Sequence, residues 1–509
     1  MSVSTGALEA APTPERSRSH LHILKSTAVI GGSSLINILL SIVRTKAMAV
    51  LLGPSGVGLM GLFGAILDLA HTATEFGVQQ SGVRQIAEAV GSGNETRIAR
   101  TALVLRRVSL VLGVTGALVL LALSAPIASF SFDTPGHAAG VALLSLALFC
   151  RVVSAGQAAL IQGLRRIGDL ARISVLGGLA STVVGVPLVY VLGENGVALS
   201  ILAMSIVSLL ASWWFARKVS ISPVRMRWSE TSAETVALFR LGIVFMASGL
   251  LTTGAAYAIR LIVLQNGGIE AAGLFQSAWA LGGLYAGFIL QAMGTDFYPR
   301  LTAAAHDNEE CNRLVNEQAH VSMLLAGPGL LGTLTLAPLI MLLFYSPSFV
   351  AAADLLRWIC LGMMLRIVAW PMGYIVLAKG AGRIFFWTEV AATLVQVGLA
   401  WLLVPWLGPV GAGIAFFGLY VWHGILIYLL VRRLTGYRMS GENIRLGLIF
   451  LPAASLIFSA FHLLSLPMAT VLGLLVTFAA TLHALRQLLR QLPDTALPVP
   501  LRNLVAKLI

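Results

Sequence analysis

Charged residues are scarce in this chain of 509 residues, where Asp, Glu, Lys and Arg together make up only 11%. Cysteine is rarer still: the three cysteines, Cys150, Cys311 and Cys360, are scattered, which argues against a disulfide framework or a metal site. No glycine-rich loop ends in Lys-Ser or Lys-Thr, so the chain carries no ATPase phosphate loop. Connections long enough to hold a soluble domain are also missing.

Hydrophobic residues dominate instead. They make up 57% of the chain, the mean hydropathy is +0.88, and apolar stretches recur at about the 20-residue length that crosses a bilayer as a helix. The predicted fold class is therefore an all-α integral membrane protein, whose first partner is the lipid bilayer. Fourteen spans are predicted, at 26–52, 57–80, 103–127, 138–161, 170–192, 196–217, 238–264, 271–297, 316–344, 352–377, 384–405, 410–431, 446–465 and 468–488.

Basic residues outnumber acidic ones by 34 to 21, which gives a net charge of +13. In the predicted topology, Lys and Arg gather in the loops of one side of the membrane, and the loops of the other side hold none. Cytoplasmic loops carry such an excess of Lys and Arg. We therefore place both termini in the cytoplasm and expect no nucleic-acid partner.

An internal repeat organises the spans. The segment GPSGVGLMGLF from Gly53 matches GIEAAGLFQSA from Gly268, and the same spacing along the chain, the repeat offset, separates Arg151 from Arg366. Two lobes related by a pseudo-two-fold axis along the membrane normal can rock about a site between them. The predicted organisation is a disordered cytoplasmic tail at 1–24, an N-terminal six-helix lobe at 25–218, a cytoplasmic linker at 219–237, a C-terminal six-helix lobe at 238–433, an extra helix pair at 445–490 and a cytoplasmic tail at 491–509.

Arginines deep in the predicted spans are the first candidates for function. Asn37 and Arg44 share one polar face of the first span. An arginine at that depth costs about 2.5–3.5 kcal/mol on insertion scales, so we expect it to face protein or a wet cavity rather than lipid. Arg260 has the matching place in the second repeat, and Arg151 and Arg366 lie near mid-membrane on the fourth span of each repeat. The interpretation that competes with a functional role is that each arginine pairs with a carboxylate or a lipid headgroup.

Acidic and amide side chains in the spans form a second group. Asp68 and Glu75 lie on a polar stripe of the second span, where each is either the partner of an arginine or a protonatable coupling group. Gln276 and Gln291 share a face of the eighth span with glycines, which indicates either close helix packing or room for a substrate. Two further acids, Asp296 and Glu389, lie near cytoplasmic ends, where solvation at the interface is the simpler interpretation; His423 is ambiguous, and prolines at 328, 338, 371 and 405 are expected to kink their spans.

The turns resemble those of a known family. The duplicated six-helix unit, the turn LLGPSGVGLMGLF, the cytoplasmic turns GLRRIGDLARIS and AKGAGRIFFWTEV, and the LGENGVA and LGPVGAG hairpins are similar to the polysaccharide-exporter branch of the MOP superfamily. The nearest group is that of the Wzx-type O-antigen and enterobacterial-common-antigen translocases. The resemblance covers about 25–433, and the extra helix pair resembles an arrangement in lipid II flippases, where two added helices form a lipid groove.

The resemblance implies MATE-like V-shaped lobes, no cofactor and no enzyme activity. It implies that the arginines receive the pyrophosphate of a polyprenyl-linked glycan, that an acid such as Asp68, Glu75 or Asp296 couples an ion, and that the protein lies in a bacterial inner membrane. Partners would then include other polysaccharide-assembly membrane proteins. The alternatives are a cation-coupled multidrug exporter of the same superfamily, a membrane-embedded polysaccharide polymerase or glycosyltransferase, and a non-transporting scaffold.

Overall fold

The computed structural model describes residues 14–132, 135–219, 224, 226–292 and 297–491. Within these ranges the chain is helical and contains no strand, as the fold class predicts. Short 3₁₀ helices lie at Pro135–His137 and Pro347–Ala352. The α-helices are α1 Pro14–Glu75, α2 Val78–Gly91, α3 Glu95–Ala122, α4 Ser124–Phe132, α5 Ala138–Gly163, α6 Ile167–Val183, α7 Gly185–Leu192, α8 Asn195–Ala216, α9 Trp228–Ala292, α10 Tyr298–Ala303, α11 Asn308–Thr335, α12 Ala337–Phe344, α13 Ala353–Ala378, α14 Gly382–Leu407, α15 Pro409–Thr435, α16 Gly441–Leu463 and α17 Leu466–Gln491.

The ends of two helices differ from the predicted boundaries. Helix α1 begins at Pro14, so residues 14–24 are helical where a disordered tail was predicted. A proline is tolerated in a first helical turn because the N–H that it lacks would have no partner there. Helix α9 begins at Trp228, inside the predicted linker. Most of the predicted C-terminal tail, from 492 onward, lies outside the described residues.

Eleven of the described helices are long and apolar enough to cross a membrane, or twelve if the bent pair α11 and α12 counts as one span. The predicted number of fourteen is not confirmed. The difference arises in α1 and α9, because each covers most of two predicted spans. At 62 and 65 residues, a straight helix would be roughly 95 Å long, about three times the thickness of the hydrocarbon core.

Each of these two long helices is interrupted by one glycine. Gly53 has φ 66° and ψ −164°, and Gly268 has φ 76° and ψ −177°. Gly193 and Gly408, which separate α7 from α8 and α14 from α15, have similar dihedral angles. A positive φ is easily reached only without a Cβ. Since the helices that flank Gly408 pack side by side, we infer that α1 and α9 also turn back on themselves at their glycines. The two arms of α1 are 14–52 and 54–75, and the two arms of α9 are 228–267 and 269–292.

The described chain divides into two compact units. Unit 1 comprises residues up to Arg44, Ala70–Ser124 and Ala139–Met246, and unit 2 comprises Thr45–Leu69, Ala125–Ala138 and the residues from Ala247 onward. Unit 2 therefore includes the turn around Gly53 as well as the one around Gly268. Its largest apolar core is built mainly by α9, α11, α13, α15 and α16, with smaller contributions from α1, α12, α14 and α17.

The extra helix pair is attached to the rest of unit 2 by a network of hydrogen bonds. The side-chain oxygen of Asn316 on α11 accepts from the Tyr437 hydroxyl at 3.1 Å, from the Ser440 N–H at 2.9 Å and from the Asn443 amide at 3.1 Å. Tyr437 and Asn443 are fully buried. Because a buried polar group must be paired to avoid a desolvation penalty, this network fixes the start of α16 on α11.

Helices α11 and α12 meet at a bend of 83°, which confirms the kink predicted at Pro338. Pro338 has no N–H to give to the Leu334 carbonyl, and Arg357 supplies the missing hydrogen bond through Nε at 3.3 Å. The guanidinium also bonds Asp354 at 2.5 Å and lies 3.7 Å above the Phe461 ring. Arg357 thus joins the bend to helix α16.

Candidate functional site

A cavity of about 430 Å³ inside unit 2 brings together two of the predicted arginines. Arg260 projects into it from α9 and Arg366 from α13, although the two residues are far apart in sequence. The acidic residue Glu389 of α14 lines the same cavity. The remaining polar and aromatic lining includes Trp279, Trp370, Tyr374, Gln396, Tyr420 and His423.

Arg260 is held by the helix pair on which it lies. Its Nε donates to the Gln276 side-chain oxygen at 3.0 Å, and its Nη1 donates to the Ala256 carbonyl at 2.9 Å. Gln276 is therefore a support for Arg260, and it is not among the residues that line the cavity. Asp68, which belongs to the same unit, lies close enough to interact electrostatically with Arg260. This arrangement agrees with the ion-pair interpretation of Asp68.

Arg366 is held mainly by aromatic faces. Its guanidinium carbon lies 4.4 Å from the Trp370 ring centre and 5.7 Å from that of Tyr420. The Nε atom is buried and has no hydrogen-bond partner among the described residues. Because cation–π contacts orient a guanidinium without occupying its N–H groups, Arg366 keeps donors for a ligand. Glu389 interacts electrostatically with Arg366 across the cavity.

Asn37 and Arg44 lie in unit 1, against helix α6. The Asn37 amide donates to Ser174 at 2.8 Å and Arg44 Nη1 donates to Ser181 at 2.6 Å. The two hydrogen bonds join residues with the same separation in sequence, so contacts advance in the same direction along both helices. Helix α6 therefore runs parallel to the first arm of α1. Arg44 has no carboxylate partner among the described residues, and its buried Nε is unpaired. The expectation that Arg44 faces protein rather than lipid agrees with this packing.

Arg151 and Glu75 also lie in unit 1. Glu75 is only 7% exposed, accepts the Gln79 N–H at 2.9 Å, contacts His71 at 3.5 Å and interacts electrostatically with Arg151. Each fourth-span arginine is thus accompanied by an acid, Glu75 in unit 1 and Glu389 in unit 2.

Several predictions about the site are corrected or stay open. Glu389, for which solvation at the interface was the simpler interpretation, lines the cavity in the structure, and its role stays a prediction. Asp296 lies outside the described residues, and the side chain of Gln291 is not described either. Sequence reasoning missed Trp370 and Tyr420, although Trp370 follows Arg366 by one helical turn, a spacing that brings two side chains together. Within the described residues, no group of His, Cys, Asp and Glu is arranged to hold a metal ion.

A second, apolar groove of about 1030 Å³ adjoins the cavity. Helices α11, α13, α15 and α16 line it, and α16 belongs to the extra pair. Ala369 and Tyr420 line both the groove and the cavity. The two spaces therefore meet at Tyr420, with Arg366 on one side and an aliphatic surface on the other.

Known proteins share this sequence pattern and this fold. The sequence model of a family described as polysaccharide biosynthesis protein matches residues 47–354. The lipid III flippase of Escherichia coli (strain K12) is 24% identical over 431 residues, which cover 81% of this chain and 100% of that protein. The solved structure of the lipid II flippase MurJ, in an inward closed conformation, has a TM-score of 0.64 at 13% identity and covers 92% of this chain and 100% of its own.

A multidrug resistance MATE family transporter of the MOP superfamily, in an inward-facing conformation, has a TM-score of 0.68 at 20% identity, with 81% of this chain and 98% of that chain covered. At these identities the likeness to solved structures concerns the fold. This fold agrees with the one that the resemblance to the MOP superfamily implies, and the match of residues 47–354 to the polysaccharide biosynthesis family confirms the polysaccharide-exporter resemblance of the sequence motifs.

Proposed function

Because this chain belongs to the polysaccharide biosynthesis protein family, we propose that it is a flippase for a lipid-linked glycan rather than an enzyme. The substrate is a polyprenyl-pyrophosphate-linked oligosaccharide, such as an O-antigen, exopolysaccharide or common-antigen repeat unit. It moves from the cytoplasmic to the periplasmic leaflet of a bacterial inner membrane. The likeness to the lipid III flippase supports the class. The observation that carries the proposal is the cavity shared by Arg260 and Arg366.

The cavity has the chemistry that such a headgroup requires. Guanidinium groups bind phosphate oxygens with paired N–H donors, so Arg260 and Arg366 provide two positions for a pyrophosphate. Trp370, Tyr374 and Tyr420 offer flat apolar faces for the first sugar ring, beside a few polar groups that fix orientation. The volume of about 430 Å³ suits the pyrophosphate end of the substrate, and the rest of the glycan would extend beyond it.

The apolar groove is the proposed place for the lipid tail. Since it meets the cavity at Tyr420, a substrate can place its pyrophosphate by Arg366 and its first isoprene units against α15 and α16. The comparisons support a role for the extra helix pair. The lipid II flippase covers 92% of this chain and the lipid III flippase 81%, and the wider match extends over enough additional chain to include the 445–490 pair.

The proposed architecture has two six-helix repeats and fourteen spans, counting both arms of α1 and of α9. Supporting it, the four turn glycines form two pairs with the same repeat offset, Gly53 with Gly268 and Gly193 with Gly408. The lobe boundaries, the V-shaped arrangement and the cytoplasmic termini belong to the same proposal. Alternating access would then come from rocking of the two repeats.

Other residues have proposed roles on the same path. Arg44 and Arg151 are further phosphate contacts, and Asn37 and Gln291 are further polar contacts of the substrate. Asp68, Glu75 and Asp296 are proposed for ion coupling, because a carboxylate paired with an arginine can exchange that partner for a proton or a cation during transport.

The test is flipping of a fluorescent polyprenyl-pyrophosphate oligosaccharide in proteoliposomes that contain equal amounts of folded protein. We compare the native chain with Arg260→Gln plus Arg366→Gln. The matched control is Arg432→Gln plus Arg433→Gln, which removes two exposed charges outside the cavity. Each lost charge-assisted contact is worth about 1.5–3 kcal/mol. The cavity variant loses two, so its apparent affinity should fall by more than about a hundredfold, and the control should flip normally.

Two results would contradict parts of the proposal. Normal flipping by the cavity variant would keep the function and remove these arginines as the site. An inactive native protein under every ion gradient would remove the function itself. Cationic-dye transport is then the next assay, because Glu389 and the aromatic lining, with the likeness to a MATE transporter, favour a cation-coupled multidrug exporter as the second candidate.

A further inference from the structure

A separate cavity of about 410 Å³ lies within unit 1, between helices α3, α5 and α8. It is far in sequence from the Arg260 and Arg366 cavity, and none of its lining residues belongs to that site. Two arginines line it: Arg106 on α3 and Arg217 just after α8. No acidic residue is among its described lining residues, so two positive charges share one cavity without a carboxylate.

Arg217 is positioned by aromatic rings. Its guanidinium carbon lies 4.9 Å from the Trp213 ring centre and 4.4 Å from that of Trp214. Both tryptophans are nearly half exposed, at 45% and 47%. Tryptophan gathers at the interface between the hydrocarbon core and water. The cavity therefore lies at the depth of lipid headgroups, at the end of the helices where the basic residues gather.

The remainder of the lining changes from polar to apolar. Ser109 and Gln157 line the cavity, and the Gln157 oxygen accepts from the Ser212 hydroxyl at 2.6 Å, which leaves the amide N–H groups as donors. Beyond them the wall consists of small and aliphatic side chains: Ala99, Ala102, Leu103, Val153, Gly156 and Leu160. Cationic groups at the headgroup level above an aliphatic wall match an amphiphile with an anionic head.

We propose that this unit 1 cavity binds an acidic phospholipid, with the phosphate between Arg106 and Arg217 and the upper acyl chain against α3 and α5. Basic pockets between membrane helices bind anionic headgroups in this way. We commit to a bilayer phospholipid rather than the transported substrate, since the half-exposed tryptophans place the cavity at the interface and the second repeat offers no equivalent pair of arginines. Position 321, which corresponds to Arg106 at the repeat offset, is a valine.

The repeat supplies a matched control for the test. Arg432 corresponds to Arg217 at the same offset, and neither it nor Arg433 lines this cavity. We compare four proteins: the native chain, Arg106→Gln plus Arg217→Gln, the same pair changed to Lys, and Arg432→Gln plus Arg433→Gln. Native mass spectrometry of the full chain in detergent measures retained phosphatidylglycerol during titration, with phosphatidylcholine as the zwitterionic comparison.

The native chain and the Arg432 and Arg433 control should retain one phosphatidylglycerol with equal affinity. The variant with both arginines changed to Gln should bind this lipid roughly thirtyfold more weakly, because it loses two basic groups that attract an anionic headgroup at the membrane surface. The variant with both changed to Lys should recover most of the affinity because it keeps both charges. A folded filling variant, Ala102→Phe, should lose the lipid while all charges remain.

Several results would overturn the proposal. An equal loss of phosphatidylglycerol affinity in the Arg432 and Arg433 control would show that general surface charge, and not this cavity, retains the lipid. Equal retention of phosphatidylcholine, or retention by Ala102→Phe, would exclude a built headgroup site. Displacement by inorganic phosphate alone would indicate a simple anion site, and preferential displacement by a polyprenyl-pyrophosphate probe would assign the cavity to the substrate. Because the readout is lipid binding, its failure is separate from failure of the flipping assay.

Discussion

A single methyl group at Gly58 should loosen the packing between the second arms of α1 and α9, both of which contribute to unit 2. A Cβ at Gly58 would lie 2.9 Å from the Gly273 nitrogen and 3.3 Å from its Cα, and it would overlap the Ile269 carbonyl oxygen. The contact is reciprocal, since a Cβ at Gly273 would overlap the Pro54 carbonyl and lie 3.1 Å from the Gly58 nitrogen. Gly58 and Gly273, like Pro54 and Ile269, are equivalent positions of the two repeats.

The magnitude follows from what must move. The obstructing atoms are backbone atoms of a packed helix, so no side-chain rotation can relieve the overlap and the arms must separate. Overpacking of this kind costs about 1–3 kcal/mol. The matched control is Gly64→Ala in the same arm, where a Cβ meets no atom within 4 Å. There, alanine gains up to about 1 kcal/mol of helix propensity, so the two substitutions should have opposite signs.

The assay uses the cysteines of the chain itself. Cys150, Cys311 and Cys360 are all buried, so a fluorogenic thiol reagent reports unfolding during a temperature ramp in detergent. Gly58→Ala and Gly273→Ala should unfold at lower temperature than the native chain, and Gly64→Ala should not. The double variant should cost less than the sum of the two, because arms already separated by one methyl group have room for the second. A Gly58→Ala protein that unfolds at or above the temperature of Gly64→Ala would refute this account of the packing.

Three further predictions concern unit 2. Arg357→Leu leaves the Leu334 carbonyl unpaired at the helix bend, so it should destabilise the protein by about 1–3 kcal/mol in the same thiol assay, and unchanged unfolding would show that water replaces the arginine. Asn316→Ala removes the acceptor that fixes the start of α16, so limited proteolysis should cleave the connection near Ser440 faster than in the native chain; an unchanged rate would contradict this anchor. Tyr420→Ala removes the ring at the point where the cavity and the groove meet, so it should weaken flipping of the lipid-linked glycan more than Tyr420→Phe, which keeps the ring. Equal effects of the two substitutions would assign the role to the hydroxyl.

Local properties of the sequence determined the class of this protein and its periodic organisation. Helicity and membrane spanning follow from runs of apolar residues, because a backbone in lipid must satisfy its own hydrogen bonds. The repeat offset was visible in the turns, where glycines such as Gly53 and Gly268 need a positive φ that other residues rarely adopt. Arginine was also conspicuous, since its cost in the membrane makes each deep example informative.

Packing decided which of these residues act together. Arg260 and Arg366 meet in one cavity with Trp370, whereas Arg44 lies against Ser181 of α6 in the other unit. No sequence spacing contains this information, because the convergence of side chains depends on which helix faces contact each other between distant parts of the chain. The same holds for Gln276, which shares a polar face with possible ligands in sequence yet supports an arginine in the structure.

The boundaries of the two units also depend on tertiary packing and not on the sequence repeat alone. The repeat predicts lobes that end near Arg217 and Arg432, while the contacts place the turn at Thr45–Leu69 with unit 2. The reason is the close approach of Gly58 and Gly273, which depends on the absence of two Cβ atoms at equivalent positions and is realised only when both turns are folded. The apolar composition thus determined that the chain is a helical membrane protein, and tertiary packing decided which charges share a cavity, because only packing can place distant side chains within reach of one ligand.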